Sequence, residues 1–136
     1  MESDSIIVSK KALWAGRIVS ALPVLFLLMD GIMKLIKAAP VVEATVKLGY
    51  PVTTIVPLGI VLLTCTVLYV IPRTSIIGAI LLTGYLGGAV ATHVRVGDPL
   101  FTHALFPVYL GVMIWLGLYL RENRLGSLVP LRSPTR

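Results

Sequence analysis

Apolar residues run almost uninterrupted through four stretches of this chain, Ala12–Ile36, Val52–Ile71, Ser75–Val94 and Phe101–Leu120. Each matches the ~20 residues that a helix needs to cross the hydrocarbon core of a bilayer. The pattern predicts an all-α fold, a membrane-spanning four-helix bundle that forms a single domain over residues 1–136. The second and third stretches are joined by a tight turn at Pro72-Arg73-Thr74, and the third and fourth by Gly97-Asp98-Pro99. Connections this short make antiparallel neighbours. The longest connection, residues 38–51, has room for a short helical piece over Val41–Leu48 that Gly49-Tyr50-Pro51 would end. Pro23, Pro57 and Pro107 fall inside the apolar stretches, where a proline removes a backbone hydrogen bond, so a bent bundle is expected.

Composition supports the same picture. The chain is 57% hydrophobic and only 13% charged, with a mean hydropathy of +0.94. A soluble domain carries about a quarter charged residues, so lipid is the expected solvent here. No soluble catalytic domain fits in the remainder. The first apolar run is longer than a signal-peptide core, and Ala38-Ala39-Pro40 is a poor cleavage site, so it reads as a retained helix. Residues Met1–Lys10 read as a polar arm, and the Arg-rich tail as a segment resting on anionic headgroups.

The net charge of +6 is spread over loops and helix ends rather than along one stripe, which argues against a nucleic-acid partner. It bears instead on topology. With the N-terminus cytoplasmic, eight of the twelve Lys and Arg fall inside: Lys10, Lys11, Arg17, Arg73, Arg121, Arg124, Arg132 and Arg136. Lys34, Lys37, Lys47 and Arg95 fall outside. The positive-inside rule then places both termini in the cytoplasm of a bacterial inner membrane.

Polar residues within the apolar stretches are few, and the inferred topology brings them to one face. Asp30 and Lys34 share a helix face about 40° apart, in the favourable acid-before-base order. An unpaired charge at membrane depth costs at least ~2.5–3.5 kcal/mol, so a structural ion pair and a polar pocket are both open readings. His93 and Arg95 end the third helix, Asp98 lies in the turn and His103 opens the fourth helix. A histidine beside a carboxylate can exchange protons near neutral pH. Two His and one Asp also make a known metal-ligand set, but the spacing is not diagnostic and Lys34 and Arg95 would repel a cation, so no metal is assigned. Tyr85 and Tyr109 are candidates to line a cavity, with core packing as the alternative, while Trp14 and Tyr119 suit the aromatic belt and Arg17 a cytoplasmic snorkel.

Gly84, Gly88 and Thr92 are spaced by four and share a face of the third helix, flanked by Gly87 and Ala91. Small residues at this spacing allow close helix approach, so the third helix is expected to be the packing hub of the bundle, or the seam of a homodimer. A single cysteine, Cys65, excludes a disulfide relay and reads as a buried small apolar residue. No nucleophile–base pair, phosphate loop, dinucleotide fingerprint or inverted repeat is present.

Several segments resemble the DoxX-like family of small four-helix membrane proteins. They are Arg17 with Asp30-Gly31-Ile32-Met33-Lys34-Leu35, then Ala91-Thr92-His93-Val94-Arg95-Val96-Gly97-Asp98-Pro99 with His103-Ala104-Leu105-Phe106-Pro107, and Trp115–Arg121 with Leu128–Arg132. That wider family includes a subunit of a thiosulfate:quinone oxidoreductase and a membrane component of an oxidant-resistance complex. The resemblance implies an accessory or ligand-binding subunit of a quinone-linked membrane redox system, with a membrane oxidoreductase as partner and a quinone as the conceivable cofactor. The paired cysteines of thiol oxidoreductases are missing, so no chemistry of its own is expected. The ligand-binding candidates are Asp30, Lys34, Tyr85, His93, Arg95, Asp98 and His103. A small proton-coupled transporter and a structural or assembly factor are the rival readings.

Overall fold

The computed structural model describes the backbone of residues 9–128 and the side chains of residues 9–125. Most of the N-terminal arm, Arg132 and Arg136 of the charge count, and the Val129–Arg132 part of the motif lie outside these residues. Six α-helices follow in order: α1 (Lys10–Leu35), α2 (Ala39–Lys47), α3 (Ile55–Val70), α4 (Ser75–Arg95), α5 (Phe106–Arg121) and α6 (Asn123–Leu128). A 3₁₀ turn, Val52–Thr54, leads into α3, and a π-helical segment, Leu100–Ala104, leads into α5. No strand occurs among the described residues.

The helix ends follow from local chemistry. Ser9 caps α1 by accepting from the Ala12 amide at 3.1 Å, so α1 begins at Lys10, inside the segment expected to be an arm. Three helices stop in the same Schellman geometry at one end of the bundle. Ala38 N–H reaches Met33 O, Tyr50 N–H reaches Thr45 O and Asp98 N–H reaches His93 O, at 3.0, 3.2 and 3.1 Å. The left-handed residue that this motif requires is Gly49 (φ 94°) after α2 and Gly97 (φ 77°) after α4. After α1 it is Lys37 (φ 52°), where a side chain accepts the strain. Ile71 is extended (ψ 122°), as a residue before proline must be, and so ends α3.

Among the described residues, only Pro23 lies in the interior of a helix, beyond its first turn. Pro57 and Pro107 fall in the first turns of α3 and α5, where a missing amide costs little. The expected bends there are fresh helix starts after the 3₁₀ and π segments.

The long helices form a ring in chain order: α1 packs on α3 and α5, and α4 packs on α3 and α5. Among the described residues, four segments are long and apolar enough to cross a membrane: Lys10–Leu35, Val52–Val70, Ser75–Arg95 and Leu100–Arg121. Their outer faces are apolar. Leu25 is 65% exposed and Phe101 72%, faces suited to lipid rather than water.

The closely packed contacts are not those expected of Gly84 and Gly88, because a Cβ at either position, or at Gly87, would meet nothing within 4 Å. Close approach occurs elsewhere. A Cβ at Gly117 of α5 would fall 2.2 Å from Ser20 Oγ of α1, and one at Gly78 of α4 would fall 2.2 Å from the Tyr69 amide of α3. The small face of α4 therefore borders open space, and the hub is α1.

One half of the bundle is solid. Leu62, Cys65, Tyr69, Leu82, Ile114 and Leu118 are buried there. A polar knot closes that end. The Tyr69 hydroxyl lies 2.8 Å from Ile114 O and 3.0 Å from Ser20 Oγ. Arg121 donates to Ser20 Oγ at 3.2 Å and stacks over the Tyr69 ring at 4.9 Å. Beyond it, Arg124 donates to Pro72 O and Glu122, and its side-chain hydrogen bond holds the Glu122 carboxyl below the usual range.

Candidate functional site

The other half of the bundle is hollow. A cavity of about 530 Å³ opens between α1, α4 and the start of α5, and α2 lies across it. The α2 side chains that face it are Pro40, Val41, Ala44, Thr45 and, just beyond the helix, Leu48. Gly84 and Gly88 make the room on the α4 wall, which is the physical reason the small face of α4 exists.

The lining is graded. Phe26, Leu27, Leu86, Phe106 and Leu110 make the deep part apolar. Towards the α2 end come Asp30 and Lys34 from α1, Thr92 and His93 from α4, and Tyr50 from the connection. Tyr85 sits deeper on α4. From Phe26 to Lys34, and from Tyr85 to His93, the walls span eight residues, roughly 12 Å at 1.5 Å per residue. The volume is within the range of small-molecule sites, which are mostly apolar with a few placed polar groups.

Lys34 is 9% exposed, yet its ammonium is paired directly with the Asp30 carboxylate one turn earlier. Across the cavity, His93 Nδ1 and Asp98 Oδ2 are 2.6 Å apart. If the carboxylate accepts from Nδ1–H, that bond fixes the ring and leaves Nε2 to exchange a proton or hydrogen bond. Thr92 gives its single proton to Gly88 O at 2.8 Å. Its 2.9 Å contact with Tyr50 is therefore one in which the tyrosine hydroxyl donates. The polar groups thus hold one another in fixed orientations before any ligand arrives.

The structure brings four of the seven expected residues to the cavity wall: Asp30, Lys34, Tyr85 and His93. The other three act around it. Asp98 orients His93. Arg95 is exposed and donates to Leu48 O at 2.9 Å. His103 is exposed, with Nδ1 against Thr102 Oγ1, and its ring centroid lies 6.1 Å from that of His93. No group of three metal-ligating side chains converges among the described residues.

Tyr109 departs from expectation, being 46% exposed with its hydroxyl donating to Phe101 O, away from the cavity. Tyr50, Thr45, Phe26 and Phe106 were not expected at the site. The first two lie on the long connection, whose fold back over the bundle leaves no periodic signal.

A second hollow, about 580 Å³, runs along the α4–α5 seam and is lined almost wholly by apolar side chains including Val90, Val112 and Leu116. Its polar feature is a Trp115 Nε1–H bond to Thr83 Oγ1 at 2.7 Å, which satisfies both groups. With no convergent polar groups it has the character of a lipid-facing groove.

The DoxX-like family model matches residues 18–117, most of the four-helix unit and all of the residues lining the cavity. The chain belongs to the DoxX-like family, and is a multi-pass membrane protein whose solvent is the lipid bilayer. No curated protein and no solved structure matches it.

Proposed function

We propose that this member of the DoxX-like family is a binding subunit that takes a small amphiphile, of the quinone class, into the cavity beneath α2. One observation carries the reading: a charged pair, Asp30–Lys34, lines an otherwise largely apolar cavity of about 530 Å³. Charges at membrane depth are costly and usually mark function. The graded lining suits a molecule with a polar head at the α2 end and an apolar body among Phe26, Leu86 and Leu110. Lys34 and Tyr85 supply donors to carbonyl oxygens of such a head, and His93 supplies a group that exchanges a proton with it. The cavity lies at the periplasmic side of a bacterial inner membrane, with both termini cytoplasmic. The electrons of any redox step belong to a partner oxidoreductase, because this chain's single cysteine forms no thiol relay.

The test is equilibrium binding of decyl-benzoquinone to the full chain in lipid nanodiscs, with an alkane of equal length as control. Saturable one-to-one binding of the quinone alone is expected. Tyr85→Phe and His93→Gln should each weaken it by about tenfold, the loss of one desolvated hydrogen bond. Absence of saturable binding, or binding indifferent to both substitutions, overturns the assignment.

A further inference from the structure

We infer that α2 is a latched lid over the cavity, and that Arg95 and Tyr50 are its latch. The inference rests on the cavity being the binding site and concerns how that site is reached.

The lid is a separate rigid piece. Schellman stops on both sides isolate α2 from α1 and from the 3₁₀ turn. It adjoins α1 and the 3₁₀ turn at its two ends and otherwise lies over the hollow. The inner face of α2 contributes side chains to the lining, so a ligand in the cavity lies under α2 rather than beside it.

The latch is polar and local. Where the lid ends, two hydrogen bonds cross to α4: Arg95 to Leu48 O at 2.9 Å, and Tyr50 to Thr92 Oγ1 at 2.9 Å. Gly49 sits between them, and a Cβ there would lie 3.1 Å from Arg95 Nη2, so the guanidinium is seated closely against the backbone of the turn. Arg95 is exposed and Tyr50 half-buried, so both bonds are within reach of water and exchange readily with it. Opening them frees the end of α2 next to α4 while the Lys37 end stays joined to α1. That motion uncovers the polar end of the cavity without disturbing the solid half of the bundle. It also accounts for Arg95, a cation near the site that does not line it.

The experiment reads access directly and needs no ligand. In the full chain with Cys65→Ala, Gly88→Cys places a thiol on the cavity wall where a side chain meets nothing within 4 Å. Its labelling by a cationic methanethiosulfonate reagent is followed in nanodiscs. With the latch intact, labelling should be slow. Arg95→Ala or Tyr50→Phe should speed it by about tenfold, the scale of one lost hydrogen bond. Gly87→Cys, on the α4–α5 groove, should be unaffected by either latch change. Equal Gly88→Cys rates with and without the latch, or fast labelling in its presence, overturn the lid. Because no quinone is involved, a failed binding assay with accelerated labelling rejects the ligand and keeps the lid. Binding with latch-independent labelling does the reverse.

Discussion

Replacing Asp30 by Asn tests whether the ion pair at the cavity wall is a unit. Lys34 keeps 11% of its side-chain surface and Asp30 27%, so the change strands a mostly buried ammonium. Breaking a fully buried pair costs about 3–5 kcal/mol, and an exposed pair is worth under ~1 kcal/mol. The partly open carboxylate and the adjoining cavity place this pair between those limits, at about 2–3 kcal/mol for Asp30→Asn. Lys34→Met should cost a similar amount by stranding the carboxylate. Removing both charges leaves nothing unpaired, so the double variant should lie within ~1 kcal/mol of the native protein. The coupling energy is then at least ~3 kcal/mol, measurable as a double-mutant cycle of unfolding free energies in mixed micelles. Additive single effects would refute the pairing. So would a harmless Asp30→Asn. The double variant should also fail to bind decyl-benzoquinone while remaining folded, which separates the role of the pair in the site from its role in the fold.

Other expectations use the same unfolding assay unless stated. Gly117→Ala should destabilise by about 2 kcal/mol or more, because its Cβ would fall 2.2 Å from Ser20 Oγ. Gly84→Ala, facing open cavity, should stay within about 0.5 kcal/mol. Equal costs at the two positions would contradict the packing described. Tyr69→Phe should cost about 1–2 kcal/mol, since it removes a buried hydroxyl that bonds Ile114 O and Ser20 Oγ. Glu122 has a depressed pKa in the folded state, held down by Arg124, so its contribution is present above the ordinary value of 4.5 and is lost as pH falls through the lower folded value. Hydrogen exchange of the α5–α6 junction should therefore rise as pH drops below the ordinary 4.5, after correction for intrinsic rates, and Glu122→Gln should abolish that pH dependence.

The four spans, the two tight turns and the short helix of the long connection were all legible, because hydropathy and turn chemistry are local signals. The ends of α1 and α4 shifted by a residue or two, with Ser9 capping α1 at Lys10, but α3 starts three residues late, behind a 3₁₀ turn, and α5 five residues late, behind a π segment. Close packing inside the bundle was expected of the α4 glycines Gly84 and Gly88 and is not found. Spacing by four puts Gly84 and Gly88 on one face but does not say whether a helix or a hollow lies opposite. The same ambiguity hid Gly16 and Gly117, whose contact is a meeting of α1 and α5 that neither helix's pattern announces. At the site, charged residues stood out against apolar sequence, so Asp30, Lys34 and His93 were visible. Tyr50 was not, because its role depends on a contact with Thr92, 42 positions away.

The contrast between the two halves of the bundle bears on whether the protein is only structural. The Tyr69 end is filled with leucine, isoleucine and a satisfied polar knot, which shows that this sequence can close a bundle end completely. At the α2 end two glycines hold the wall back around about 530 Å³. The hollow is half open rather than sealed, so water, lipid or a ligand has access to it. Water satisfies Asp30, Lys34 and Tyr50 at the polar end, but gains nothing against Phe26, Leu86 and Leu110. An amphiphile satisfies both ends at once, which is why the graded cavity argues for a ligand more strongly than the charged residues do alone.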